Sequence, residues 1–116
     1  MLRQMLHGKI HRARVTDACV DYPGSITIDP KLMEAADILA GEKVLIANLT
    51  NGARVETYAL VGKPGSGDIC LNGGAARYGK KGDIVIIMTF TVLNEQELKT
   101  HQPKTIVLNE RNEIIG

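Results

Sequence analysis

The chain has 116 residues, of which 44% are hydrophobic and 23% are charged, as is usual for one soluble globular domain spanning residues 1–116. Fourteen lysines and arginines against thirteen aspartates and glutamates give a formal net charge of +1, so charge indicates neither a nucleic-acid partner nor a membrane surface. No apolar run approaches the roughly 20 residues that span a bilayer, and the N-terminal segment has no signal-peptide pattern. We therefore expect a cytoplasmic protein.

Short β-strands are predicted along most of the chain, because β-branched and apolar residues recur in short runs. These runs are Ile10–Val20, Val44–Thr50, Ala53–Val61, Ile84–Val92 and Lys104–Leu108. Asn51-Gly52 between two of them predicts a hairpin with a type I′ turn. The nearly unbroken apolar run Ile84–Val92 predicts a strand buried on both faces. The glycine-rich segment 62–67 is interpreted as a hairpin loop.

Helices are predicted to be few and short. Asp29 can cap a helix that starts at Pro30 and ends at Gly41. Asn94 and Glu97 have the spacing of a capping box for a second helix. Asn72 is a candidate cap for a single turn that follows it.

A faint internal repeat relates two parts of the sequence. Residues 39–46 and 80–87 share the pattern Gly-acidic-x-Val followed by aliphatic residues, and each copy follows a predicted helical segment. Two helix–turn–strand units in a small β-rich chain predict a barrel with pseudo-twofold symmetry.

The cysteines and histidines do not form a recognisable motif. Cys19 and Cys70 are far apart in sequence and are interpreted as small buried hydrophobic residues. His7 and His11 are four residues apart, but on a predicted strand that spacing separates them by roughly 13 Å, too far to share a metal ion. We therefore expect no metal site.

The dipeptide Gly24-Ser25 carries the most specific chemical possibility. A serine directly after glycine at a tight bend can attack the preceding carbonyl, because glycine has no side chain to block the approach. Ester formation, elimination and hydrolysis would then leave a pyruvoyl group on a new N-terminus. That ketone would accept electrons as pyridoxal phosphate does, without that cofactor. An ordinary turn is the alternative, since a second Gly-Ser pair stands at Gly65-Ser66.

Two further stretches contain candidate site residues. The strand periodicity places Arg54 and Tyr58 on one face and Thr57 on the other. This suits a site between subunits, or one in which Thr57 serves Ser25 while the other two face a ligand; a solvated strand face is the alternative. The segment 72–76 carries little side-chain bulk, so it can bring backbone N–H groups close to a ligand or simply pack tightly.

Read in order, these residues resemble the aspartate 1-decarboxylase family, pyruvoyl-dependent enzymes that make β-alanine for pantothenate. Five collinear motifs, from near the start to about Phe90, carry the resemblance. They are Met5–Arg12, Tyr22–Ser25, Thr50–Tyr58, Asn72–Ala76 and Gly82–Ile87.

The resemblance implies a mainly β fold, a small double-psi β-barrel, and a homotetramer with active sites between neighbouring subunits. It also implies self-cleavage between Gly24 and Ser25, which gives a short chain 1–24 and a long chain 25–116 headed by a pyruvoyl group. L-aspartate would bind that group through a Schiff base. Whether cleavage needs a helper protein is left open.

The resemblance also implies roles for individual residues. Thr57 matches the residue that assists cleavage, and Tyr58 matches the proton donor. Lys9 and Arg54 match the residues that bind the substrate carboxylates, in an order left open. The pocket lining would comprise Asn72, Gly73, Gly74 and Ala75, and Gly74 stands where the family pattern has alanine.

Two other functions remain to be weighed. A non-enzymatic double-psi barrel could serve as a binding module without ever being cleaved. A pyruvoyl decarboxylase for another amino acid would share the cleavage site but would not need cations for a side-chain carboxylate.

Overall fold

Eight β-strands dominate the structure, a computed structural model that describes all of residues 1–116. The strands are β1 (Arg3–Arg14), β2 (Asp17–Cys19), β3 (Ser25–Ile28), β4 (Lys43–Asn48), β5 (Arg54–Val61), β6 (Ile69–Asn72), β7 (Ile84–Leu93) and β8 (Lys104–Val107). Two short α-helices, α1 (Pro30–Ala36) and α2 (Glu95–Leu98), and a 3₁₀ helix (Gly73–Arg77) connect them. The predicted mainly β class is confirmed. Neither α-helix is long and apolar enough to cross a membrane.

The strands form one curved sheet in the order β2-β6-β3-β5-β4-β7-β1-β8. Only Val15 and Thr16 separate β1 from β2, and their N–H groups donate to the carbonyl oxygens of Asp83 and Ile69, each over 2.8 Å. The segment 3–19 therefore passes from pairing with β7 to pairing with β6. This change of partner closes six strands into a small barrel, with β8 added beside β1.

The strand pairing has the predicted pseudo-twofold symmetry. β5 pairs antiparallel with β4 and parallel with β3. The continuous β1–β2 segment likewise pairs antiparallel with β7 and parallel with β6. The two remaining pairings, β3 with β6 and β4 with β7, are both antiparallel and join one half to the other. This is the double-psi arrangement, with each half contributing three strands and one helical turn.

The repeated Gly-acidic motif occupies equivalent positions in the two halves. Gly41 N–H donates to the carbonyl of Ala59, whose N–H donates back to Glu42. Gly82 N–H donates to the carbonyl of Val15, whose N–H donates back to Asp83. Gly41 and Gly82 have φ values of 84° and 95°, a region that favours glycine, which explains why both copies keep it.

The barrel interior is filled almost entirely by aliphatic side chains. Along β7, buried residues alternate with half-exposed ones, so the prediction that this strand is buried on both faces is wrong. Phe90 and Val92 point outward and expose 40% and 55% of their surface. The outer face of β7 is thus apolar and partly uncovered in the single chain.

Several local predictions need correction. β1 begins at Arg3 rather than Ile10, and β3 and β6 were missed. The hairpin of β4 and β5 is confirmed, but its turn is not type I′, because of its two central residues only Gly52 has positive φ. In this loop the Asn48 side chain accepts hydrogen bonds from the N–H groups of Thr50 and Asn51.

Two connections also differ from expectation. Segment 62–67 is not a hairpin loop, because β3 lies between β5 and β6 in the sheet. α1 has the predicted Asp29 cap and Pro30 start, but it ends at Ala36, since Asp37 adopts a left-handed conformation with φ 56°. The capping box of Asn94 and Glu97 is confirmed at α2.

Candidate active site

Ser25 is the first residue of β3 and is fully buried, whereas Gly24 before it is exposed. β3 lies between β6 and β5, so the start of this strand is held from both sides. The segment 20–24 that leads into it lies on the surface. The Gly24–Ser25 peptide therefore stands where an exposed loop enters the barrel wall.

Asn72 forms the closest polar contact of Ser25. The two residues are directly paired across β3 and β6, and Asn72 Nδ2 donates to Ser25 Oγ over 3.0 Å. The same nitrogen donates to Thr27 Oγ1, also over 3.0 Å. The predicted capping role of Asn72 is wrong: it stands at the N-cap position of the 3₁₀ helix, but its side chain makes no capping hydrogen bond. The strand pairing directs the amide to the serine instead.

Gly73 brings the 3₁₀ helix against the Gly24 backbone. It has φ 59°, and a Cβ placed there would lie 2.6 Å from the Gly24 Cα and 2.7 Å from the carbonyl oxygen of Tyr22. A Cβ at Gly24, in contrast, would meet nothing within 4 Å. Only glycine at position 73 permits this close approach of the two backbones. The position that a Cβ of Gly24 would occupy still faces open space.

Thr57 and Tyr58 lie on the other neighbour of β3. The parallel register pairs Ile26 with Ala59. The pairing begins at this residue pair; extended by one and two residues toward the N-terminus, the same register would set Ser25 beside Tyr58 and Gly24 beside Thr57. Thr57 is half-buried, whereas Tyr58 is 42% exposed, so the predicted opposite orientation of the two side chains is confirmed.

The structure does not bring Lys9 and Arg54 to Ser25 within one chain. Lys9 lies on β1, whose neighbours in the sheet are β7 and β8 rather than β3. Its side chain takes no part in the hydrogen bonds of the Ser25 cluster. Arg54 is four residues from Tyr58 along β5, a distance of roughly 13 Å. Both side chains are on the outside of the barrel.

Gly74 and Ala75 complete the loop predicted to line the pocket. Gly74 is exposed and has open space where a Cβ would be, whereas Ala75 is buried in the core. An alanine at position 74, as in the family pattern, would fit without any shift. The glycine there is not required by packing.

The prediction for the cysteines is wrong, because Cys19 is exposed and Cys70 is half-buried. The two lie diagonally across the parallel pair β2–β6, where Asp17 opposes Cys70 and Cys19 opposes Asn72. Partial burial raises the pKa of the Cys70 thiol above 9.0, as do the nearby Asp17, Cys19 and Asp68. The thiol therefore keeps its proton at neutral pH. Cys70 Sγ donates to Asn72 Oδ1 over 3.3 Å.

Sequence reasoning missed Thr27 and Cys70 as members of this cluster. Thr27 lies two residues after Ser25, and Cys70 lies two residues before Asn72. Because strand residues two apart share a face, this spacing was the available signal. It could not be used, since neither β3 nor β6 was recognised as a strand.

His7 and His11 lie on β1, as the prediction of a strand here required, and His7 Nε2 is 2.8 Å from Asp37 Oδ2 after the end of α1. His101 stacks on His7 with ring centroids 6.1 Å apart. These contacts attach the helical segments to the outside of β1. They take no part in the Ser25 cluster.

The fold and the site together define a double-psi β-barrel protein with a buried serine that follows an exposed glycine. The aspartate decarboxylase family model matches residues 1–115, and the chain belongs to this family.

The chain is also similar to curated relatives over nearly its whole length. It is 57% identical over 114 residues to Aspartate 1-decarboxylase of Listeria monocytogenes, covering 98% of this chain and 90% of the relative. It is 58% identical over 115 residues to Aspartate 1-decarboxylase of Staphylococcus aureus strain JH9, covering 99% and 91%. These relatives confirm the resemblance seen in the sequence.

Proposed function

We propose that this protein is an enzyme that removes the α-carboxyl group of L-aspartate, giving β-alanine and carbon dioxide. The relatives named Aspartate 1-decarboxylase, 57–58% identical over nearly the whole chain, carry this proposal. β-Alanine made in this way supplies pantothenate and, through it, coenzyme A. This identity also favours an enzyme over a binding module.

We propose that the cofactor is a pyruvoyl group made from Ser25. The Ser25 Oγ attacks the Gly24 carbonyl carbon, the Gly24–Ser25 C–N bond breaks, and the acyl group moves to Oγ as an ester. Elimination then removes the Cα proton of residue 25, breaks the Cβ–Oγ bond and forms a Cα=Cβ double bond, which releases the Gly24 carboxylate and leaves dehydroalanine. Hydrolysis with loss of ammonia leaves the ketone. The products are chains 1–24 and 25–116.

The Ser25 surroundings fit this conversion. The hydroxyl is buried and held by Asn72, and a Cβ on Gly24 would meet nothing within 4 Å. The β3–β5 register, extended two residues before its first pair of Ile26 and Ala59, would make Thr57 the neighbour of Gly24. Its hydroxyl can donate to the Gly24 carbonyl oxygen as that carbon becomes tetrahedral.

The remaining residues bind and protonate the substrate. A pyruvoyl group at position 25 would supply a ketone able to condense with the amine of aspartate and to take up the electron pair left by the departing carboxyl group. Tyr58, beside Ser25 in the strand register, then donates its proton to the former α-carbon. Lys9 and Arg54 bind carboxylates, for which the planar guanidinium of arginine is well suited.

Assembly into a homotetramer would bring these cations to the serine. Residues directly opposite one another in antiparallel strands share a face. By this rule Lys9 adjoins Met88, which adjoins Leu45 in turn, and Arg54 adjoins Ala47, which adjoins Ile86. A cation thus stands at each side of the partly uncovered apolar face of β4 and β7. A second copy packed on that face would cover it and receive Lys9 and Arg54 close to its own Ser25.

The proposed compartment is the cytoplasm, whose reducing conditions keep both cysteines free.

Intact-mass analysis and a β-alanine assay of three purified proteins test the proposal. We expect the wild-type chain to separate into two fragments and to produce β-alanine. Ser25→Ala removes the nucleophile and abolishes both cleavage and activity. Tyr58→Phe keeps cleavage but lowers kcat by about 100-fold or more, because it removes only the proton donor.

Three results would contradict the proposal. An unbroken wild-type chain that still forms β-alanine would exclude the pyruvoyl group. Comparable turnover of an amino acid without a side-chain carboxylate would exclude aspartate as the selected substrate. A Tyr58→Phe enzyme with an unchanged rate would remove the assignment of Tyr58 as the proton donor.

Cleavage of the purified chain alone, compared with cleavage after adding lysate, shows whether a helper protein contributes.

A further inference from the structure

The Asn72 side chain is a hub for three polar side chains. Its Nδ2 donates to the hydroxyl oxygens of Ser25 and Thr27, and its Oδ1 accepts from the thiol of Cys70. Asn72 is 3% exposed, so solvent has little access to the amide. The direction of the amide is therefore set by these three neighbours.

Only one of these neighbours distinguishes the two directions of the amide. A hydroxyl can donate or accept, so Ser25 and Thr27 would accommodate either the nitrogen or the oxygen. A thiol is a weak donor and a weak acceptor, but Cys70 keeps its proton and donates it to Asn72 Oδ1, so it favours the amide oxygen on its own side. The nitrogen is then left facing Ser25.

The direction matters for the proposed cleavage. When Nδ2 donates to Ser25 Oγ, the contact strengthens as the hydroxyl loses its proton and negative charge develops on Oγ. The Oγ–H also stays free to point to a base. With the amide reversed, Oδ1 would accept a hydrogen bond from the Ser25 Oγ–H. The amide oxygen is too weakly basic to remove this proton, and the hydrogen bond would keep the Oγ–H from pointing to a base.

We infer that Cys70 is a positioning residue for self-cleavage: through its hydrogen bond to Asn72 Oδ1, it keeps the amide nitrogen directed at the Ser25 nucleophile. This inference rests on the proposed cleavage at Gly24-Ser25. Thr27 assists by accepting the second amide N–H. The Cys70 side chain itself forms no hydrogen bond with Ser25 or with Gly24; its thiol is bonded to Asn72.

The rate of self-cleavage, followed by intact mass in freshly purified full-length chain, tests this role. We expect Cys70→Ala to slow cleavage about fivefold to tenfold, as loss of one weak hydrogen bond predicts. Cys70→Ser keeps a donor and should restore the rate to within about twofold. Cys19→Ala is the matched control, because Cys19 lies on the adjacent strand and its side chain forms no hydrogen bond with Asn72, and its rate should equal that of the wild type.

A pH series separates positioning from packing. The groups facing Cys70 are Asp17 and Cys19 from β2 and Asp68 from the segment before β6. As the pH rises through the thiol pKa, which lies above 9.0, Cys70 loses the proton that it donates. The cleavage rate of the wild type relative to Cys70→Ser should therefore fall in that range and stay constant below it.

The outcomes distinguish this inference from the proposed function. An unchanged rate in Cys70→Ala, or a rate in Cys70→Ser as slow as in Cys70→Ala, would overturn the positioning role while leaving self-cleavage intact. A wild-type chain that never cleaves would overturn the proposed function itself. Thermal unfolding of each variant combined with Ser25→Ala, in which no cleavage occurs, identifies a variant that merely folds poorly. If a Cys70 variant folds poorly, Thr27→Val and Thr27→Ser are compared in its place. Self-cleavage should then be slower in Thr27→Val, which loses the acceptor for the Asn72 amide, and not in Thr27→Ser.

Discussion

Gly73 and Gly24 are in such close contact that a Cβ on Gly73 would lie 2.6 Å from the Gly24 Cα. The two glycines belong to different elements, the 3₁₀ helix and the loop before β3. Their contact fixes the backbone immediately before Ser25. The position of the bond proposed to be cut thus depends on a residue nearly fifty positions further along the chain.

Gly73→Ala should slow self-cleavage at least tenfold, because the new methyl group displaces Gly24 and alanine is strained at φ 59°. Gly74→Ala is the matched control, since a Cβ there meets nothing within 4 Å and its φ is not positive. Intact mass over time measures both. Equal rates for the two variants would show that the Gly73–Gly24 contact does not position the cleaved bond.

Asp29 makes stability depend on acid pH. Burial raises the pKa of its carboxyl group, but N–H donors from Gly67, Lys31 and Gly65 outweigh burial and leave it below 3.8. The ionised form therefore stabilises the fold above about pH 4, and this contribution is lost as the pH falls through the lowered pKa. Asp29→Asn should cost about 1–2 kcal/mol at pH 7 and should lack this acid dependence.

Denaturant unfolding of Ser25→Ala protein at several pH values measures the Asp29 effect without interference from cleavage. Asp21→Asn, at an exposed position, is the control and should leave the unfolding free energy at pH 7 within about 0.5 kcal/mol. An Asp29→Asn chain that is as stable as its parent at pH 7 would refute the role of these hydrogen bonds.

Thr89 is 0% exposed, and its buried hydroxyl has no hydrogen-bond partner. Thr89→Val exchanges that hydroxyl for a methyl group of similar shape, and we expect a gain of about 1 kcal/mol in unfolding free energy. Thr91→Val, on the same strand but half-exposed, should change it by less than about 0.5 kcal/mol. A loss of stability in Thr89→Val would show that the hydroxyl is paired in solution.

Sites shared between subunits predict complementation. Arg54→Ala should raise KM about tenfold or more through loss of a charged hydrogen bond, and Ser25→Ala should be inactive. Random co-assembly of the two variants should restore about a quarter of the wild-type sites, because half of the sites contain Ser25 and half of those face an intact Arg54. Assays of the co-expressed protein at low aspartate concentration measure this recovery. Activity no greater than that expected from the Arg54→Ala subunits of the mixture by themselves would place Arg54 and Ser25 in the same subunit.

The fold could be predicted in outline from the sequence, because its strongest signals are local. The pattern of residues 39–46 and 80–87 contains the two positive-φ glycines and the strands that follow them, so it reports the symmetry directly. β3 and β6 were missed because each has only four residues and lies next to proline- or glycine-rich loops. Such short strands form through their neighbours rather than through their own propensity.

The site could be predicted only as far as its motifs extend. Gly24-Ser25 and Asn72 were found, but the direction of the Asn72 side chain depends on the pairing of β3 with β6, which no local pattern announces. The same pairing explains why Asn72 was mistaken for a helix cap: its backbone has that position, while its side chain is bound across the sheet. Lys9 and Arg54 followed from the resemblance, and a single chain leaves them apart from Ser25.

The pairing of the first strands has a consequence for the history of each molecule. Both β1 and β2 precede Gly24, and they are hydrogen-bonded to β6, β7 and β8. After the proposed cut, the small piece would remain in place as a non-covalent part of the wall. Once denatured, however, the two pieces would have to meet again by diffusion, so their renaturation would depend on protein concentration, whereas the single chain of the precursor would need no such encounter. The activated molecule would thus have only one easy opportunity to reach its shape, which is the one it takes before it is cut.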